Sequence, residues 1–223
     1  MSIDISAYAA LSQSLQPSQA TLVAVSKTKP VEDIQALYDA GQRDFGENYV
    51  QELVDKQARL PEDIRWHFIG HLQSNKVKYL APFVHLIHGV DSGKLLQTID
   101  KQGAAKHREI RVLLQVHIAR EETKFGLDAD ELTALLQDPA VAGMQHARIC
   151  GLMGMASFSD DESQVRAEFR QLRQLFDTVK ARFFAQDPQF DTLSMGMSGD
   201  YRIALEEGST MVRIGSLLFG ARS

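Results

Sequence analysis

The sequence predicts an α/β fold, a (β/α)8 barrel of the TIM type. Short β-branched or apolar runs alternate with longer stretches of helical spacing, eight such runs can be counted, and their starts lie 18 to 44 residues apart, room enough for a helix between successive strands. A chain of 223 residues accommodates this as a single domain, 1–223. The strands are expected at Thr21 to Ser26, Asp44 to Gly46, Trp66 to Gly70, Leu86 to Val90, Arg111 to His117, Arg148 to Met153, Thr192 to Met195 and Thr210 to Ile214. Met1 to Ser18 reads as an N-terminal helix. Further helices are expected at Val31 to Ala40, Glu47 to Arg59, Lys94 to Gln102, Ala129 to Gln137, Asp161 to Ala185 and Tyr201 to Glu207. Pro30 and Asp91 precede helices, while Gly41 and Gly208 follow them.

Eight parallel strands either close on themselves or spread into a doubly wound sheet. The open sheet typically carries a GxGxxG turn after a strand, and none is present. Glycines and hydroxyls cluster instead after the last two strands, in Ser194 to Gly199 and Arg213 to Ser216, where barrels commonly bind phosphate.

Composition narrows the function classes. The hydrophobic fraction is 44% and the charged fraction 24%, as in ordinary folded proteins. Net charge is −5 with no block of like charges, which argues against a general nucleic-acid surface. Apolar runs such as Phe83 to Ile87 fall far short of the ~20 residues of a spanning helix. The first 18 residues contain Asp4 and no basic leader, so a cytoplasmic location is expected. Cys150 is the single cysteine, which excludes an internal disulfide and suits a small buried hydrophobe. His67, His71, His85 and His88 have no carboxylate beside them at a ligand spacing, so no metal is expected. The pairs Met153/Met155 and Met195/Met197 fit core packing.

Lys27 directly follows the first strand, at the end where barrel enzymes concentrate their chemistry. Alternation puts it on the face of Thr21, Val23 and Val25, opposite Leu22, Ala24 and Ser26. A lysine in such a mouth can condense with an aldehyde once its neutral form is favoured; position alone also suits a solvated strand-end lysine. In the last strand Met211, Arg213 and Gly215 share the inward face. A buried arginine needs an acceptor, either an internal carboxylate or a ligand atom. Ser198 and Gly199 precede one helix, and Gly215 and Ser216 open another turn; each is a plausible anion site or simply a turn.

Six segments resemble the pyridoxal phosphate homeostasis protein family: Ala24 to Pro30, Phe45 to Glu52, His67 to Lys76, Gly151 to Met153, Ser194 to Ser198, and Met211 to Ser216 with Phe219-Gly220. The resemblance covers nearly the whole chain. It implies the type III pyridoxal phosphate fold without the additional β domain of related enzymes, and pyridoxal 5′-phosphate held as an internal aldimine on Lys27. It further implies Arg213 near the pyridine nitrogen, Asn48 near the ring, and Ser198, Gly215 and Ser216 around the phosphate. Ser216 stands where many relatives carry threonine and keeps the hydroxyl. Lys124 is a possible reserve amine.

The resemblance favours a non-catalytic protein of cofactor homeostasis that buffers or delivers the cofactor, with apoenzymes as partners and a monomeric state. The alternative is a small racemase or decarboxylase on the same cofactor. Racemisation needs two placed acid–base groups, and beyond Lys27 only Tyr201 offers itself. Ser223 ends three residues after Gly220, leaving no room for the domain that completes such enzymes. A cofactor-free Schiff-base aldolase is disfavoured because the sixth strand carries no lysine.

Overall fold

The computed structural model describes residues 3–119 and 125–220. Its helices are α1 (Ile5–Leu15), α2 (Val31–Asp39), α3 (Val50–Gln57), α4 (Val77–Leu80), α5 (Gly93–Ala105), α6 (Ala129–Gln137), α7 (Pro139–Ala142), α8 (Glu162–Phe183), α9 (Tyr201–Glu206) and α10 (Ser216–Phe219). Its strands are β1 (Thr21–Val25), β2 (Asp44–Glu47), β3 (Arg65–Phe68), β4 (Leu86–Val90), β5 (Ile110–Val116), β6 (Ala147–Gly154), β7 (Thr192–Ser194) and β8 (Met211–Ile214). Each strand pairs in parallel with the next, and β8 returns to β1, so the sheet closes as the sequence predicts. Among the described residues, no helix is long and apolar enough to cross a membrane.

Alternation along each strand divides the core into two layers. Leu22, Ala24, Val212 and Ile214 face the helices. Val23, Leu86, Leu113, Cys150, Met153 and Met211 meet inside the barrel. Met155 packs against this inner cluster, whereas Met195 belongs to the outer layer. The outer layer is sealed by amphipathic helices such as α8, whose Val165, Phe169, Leu172, Phe176 and Val179 recur at helical spacing. Local signals start the helices. Asp128 and Glu131 form a reciprocal capping box on α6, and Asp161 caps α8.

Several boundaries depart from the sequence reading. Helix α3 begins at Val50 rather than Glu47, because β2 continues through Glu47 and Tyr49 is still extended. Ser92, not Asp91, caps α5 through its hydroxyl. Helices α4, α7 and α10 span four residues each, too few for hydrophobic periodicity to reveal.

Candidate functional site

Strand β1 delivers Lys27 to the C-terminal rim of the barrel, half-buried in the turn that follows Val25. In that turn Thr28 takes a left-handed φ of +63°, a conformation costing a non-glycine residue about 1–2 kcal/mol. Neighbouring groups hold it there. Ser26 Oγ donates to Glu47 Oε1 at 2.6 Å, and Thr28 N donates to Glu52 Oε1 at 2.6 Å. Lys56 Nζ joins the two by donating to Ser26 O at 2.8 Å and to Glu47 Oε1 and Glu52 Oε1 at 2.7 Å each. The Lys56 side chain is 7% exposed and that of Glu47 0%. Burial pushes the Glu47 carboxyl up, opposed by the Lys56 cation. This brace on both flanks of Lys27 escapes sequence reasoning, which assigns Glu47 and Lys56 to one helix.

Arg213 lies inward on β8, with Val23 of β1 as its register partner. It is 4% exposed, and its hydrogen bonds go to neutral acceptors: Ser194 O at 3.0 Å, Ser194 Oγ at 2.7 Å and Gly154 O at 3.3 Å. Of the five donors of a guanidinium, Nε–H and one Nη2–H are left over from these bonds. Burial pulls Arg213 down to about 10 while the Asp200 charge pulls the other way, so it remains cationic at neutral pH. Of the two roles open to Arg213 in the sequence, these bonds favour donation to a ligand over an internal salt bridge.

The two glycine–hydroxyl turns meet. Ser198 Oγ accepts from Gly215 N at 3.3 Å, bringing the loop after β7 against the start of α10. A Cβ at Gly215 would stand 3.2 Å from Val25 O, so the absence of a side chain lets β8 run tightly beside β1 here. Ser216 follows as the first, exposed residue of α10. Asn48 continues from β2, and its Oδ1 is buried with no hydrogen-bond partner among the described residues. Gly70 makes that placement possible, since a Cβ there would come within 2.3 Å of Asn48 O. An orphaned buried acceptor, leftover guanidinium donors and small residues at the rim all suit a polar ligand.

The opposite mouth holds a cavity of about 330 Å3 lined by strand beginnings, among them Asp44, Arg65, His67, His85 and Arg111. Ligand atoms of Asp44, His67 and His85 lie within 4.8 Å of one another. Sequence spacing misses this because barrel closure, not local spacing, brings Asp44 to the histidines. Its carboxylate is taken by Arg65 and by His67 Nε2 at 3.0 Å, and Arg111 lines the same cavity, so the charge balance does not favour a cation. Tyr201 is buried in the outer layer, and its hydroxyl accepts from Arg202 Nε at 3.2 Å. His71 is exposed and stacks on Phe125. Lys124 lies outside the described residues.

Residues 6–223 match the family described as alanine racemase, N-terminal domain. A pyridoxal phosphate homeostasis protein of Vibrio alginolyticus is 44% identical over 212 residues, covering 92% of this chain and 88% of its own. The chain belongs to the pyridoxal phosphate homeostasis protein family. A second family member, from Escherichia coli strain K12, is 42% identical over 92% of this chain and 87% of its own. PipY of Synechococcus elongatus PCC7942, solved with pyridoxal phosphate bound, superposes with a TM-score of 0.87 at 38% identity, covering 97% and 99% of the two chains. The same barrel recurs in an alanine racemase of Bartonella henselae at a TM-score of 0.72 and 19% identity, where this chain spans 60% of the racemase. That likeness is one of fold alone.

Proposed function

We propose that this member of the homeostasis family holds pyridoxal 5′-phosphate at the C-terminal mouth, on Lys27, and buffers or delivers it. The observation that carries the reading is the convergence of Lys27, Arg213 and the Ser198–Gly215 contact on adjoining strands at one end of one barrel. When bound, the cofactor supplies an aldehyde that condenses with Lys27 Nζ with loss of water, and a ring that can act as an electron sink. The Lys56–Glu47–Glu52 brace keeps the Lys27 turn in its strained conformation whether or not ligand is present. Ser198 Oγ and the amides of Gly215 and Ser216 are donors for the phosphate. Arg213 turns its leftover donors to the ring nitrogen, and Asn48 offers its orphaned acceptor beside the ring.

Binding without turnover fits the side chains at hand. Arg213 can only donate, so it favours an unprotonated ring nitrogen, a weaker electron sink than a pyridinium. Tyr201, the other acid–base group open to racemisation, is packed into the outer layer. Apoenzymes that accept the cofactor are the partners this reading calls for, with the chain acting as a monomer in the cytoplasm. The test is an absorption spectrum of the purified protein, followed by borohydride reduction and peptide mapping. Wild type should show a visible band and a label on Lys27; Lys27→Ala should show neither. An undiminished band in Lys27→Ala moves the site elsewhere, and a label mapping to Lys124 identifies a substitute amine.

A further inference from the structure

The interior of the barrel carries a polar column beside its apolar cluster. It begins at the N-terminal mouth with Asp44, whose carboxylate accepts from Arg65 Nε at 2.8 Å and from Arg65 Nη2. His67 Nε2 lies 3.0 Å from Asp44 Oδ1, and His67 Nδ1 lies 2.9 Å from His88 Nε2. His88 Nδ1 lies 3.1 Å from Ser194 Oγ, which accepts from Arg213 Nη1 at 2.7 Å. His67, His88 and Ser194 are each at most 1% exposed. The column therefore crosses the barrel from β2 through β3, β4 and β7 to β8, ending at the residue assigned above to the ring nitrogen.

Both ends of this column are chemically one-way. A carboxylate accepts and a guanidinium donates, and neither can exchange roles. Burial keeps both imidazoles neutral, with one donor and one acceptor nitrogen each. Starting from Asp44, His67 must donate from Nε2 and accept at Nδ1. His88 must then donate from Nε2 and accept at Nδ1. Ser194 donates to His88 and accepts from Arg213. Every bond points the same way, and any other tautomer sets lone pair against lone pair or hydrogen against hydrogen. Bonds in such a series polarise one another, so a hydroxyl that donates to His88 is a better acceptor for Arg213.

We propose that Asp44, His67, His88 and Ser194 are positioning residues for Arg213, fixing the orientation of its guanidinium from the far side of the barrel. The backbone bonds to Ser194 O and Gly154 O place the head group, and the column decides which of its hydrogens remain for the ligand. The proposal rests on the reading that Arg213 serves the cofactor ring, and its test separates the two.

Nitrogen-15 NMR of the histidine side chains in the cofactor-free protein should find both His67 and His88 protonated on Nε2. In the loaded protein, Ser194→Ala should move the visible absorption maximum and weaken pyridoxal phosphate binding by about fivefold, the equivalent of one hydrogen bond of about 1 kcal/mol. Asp44→Asn, at the far end, should move the band in the same direction and alter the His67 signals. A proton on Nδ1 of either histidine overturns the column as drawn. A Ser194→Ala protein with the wild-type band and affinity overturns the positioning role. A wild-type protein with no visible band and no label on Lys27 defeats the cofactor reading instead, while the tautomer measurement still decides the column.

Discussion

Ser198, Gly215 and Ser216 offer only neutral donors, so their contribution depends on a ligand that brings the charge. A charge-assisted hydrogen bond is typically worth about 1.5–3 kcal/mol, so pyridoxal, which lacks the phosphate, should bind at least about tenfold more weakly than pyridoxal phosphate. Equal affinity by titration would remove the phosphate cup from the site. Arg213 makes a second claim at this scale. With a donor-only partner at the ring nitrogen, the loaded protein should not racemise, transaminate or decarboxylate the common amino acids, yet should pass cofactor to an apoenzyme. Chirality, keto acid and carbon dioxide assays check this. Lys27-dependent turnover near ~1 per second or faster would instead identify an enzyme.

At the scale of elements, the ion cluster between β2 and α3 is what fixes the turn after β1. Removing one member of a buried pair leaves the other uncompensated, so Lys56→Met should lower stability by about 3–5 kcal/mol in denaturant unfolding. Pairing it with Glu47→Leu should recover most of that loss, because no buried charge is then stranded. If the single and double variants are equally destabilised, packing rather than charge holds the turn. What the sequence made legible belongs to this scale. Period-2 alternation sorted β1 and β8 into inward and outward residues, and so aimed Arg213 correctly before any coordinates. It could not find Ser194 under Arg213, Lys56 under Lys27, or Asp44 against His67, because those contacts depend on the register between strands. The three four-residue helices were invisible for a different reason, being shorter than the period that would announce them.

Across the whole molecule, buried imidazoles set the response to acid. Burial lowers His67, His88 and His85, the last to about 4, so each binds its proton more readily in the unfolded chain. Stability from these groups is complete above their ordinary value of ~6.5 and falls as pH drops below it, by up to about 1.4 kcal/mol per pH unit for each imidazole kept neutral. Asp44 works in the same direction at lower pH. Burial raises its carboxyl, but the bonds from Arg65 and His67 outweigh that and hold it well below the usual carboxylate range. Glu47, raised by burial, works in the opposite direction. The urea midpoint should therefore fall between pH 7.5 and pH 5, and a flat profile would mean that the histidines are charged in the fold. The closure of the barrel has a further consequence. Lys29 Nζ reaches Phe219 O across 190 residues of chain, and β1 finds its partner only in β8. A ribosome makes the lysine strand early and the arginine strand near the end, and until β8 emerges β1 has an open edge with half a binding site. Loading with cofactor is thus confined to the finished polypeptide, and nascent chains stalled before Met211 should stay colourless however much pyridoxal phosphate surrounds them.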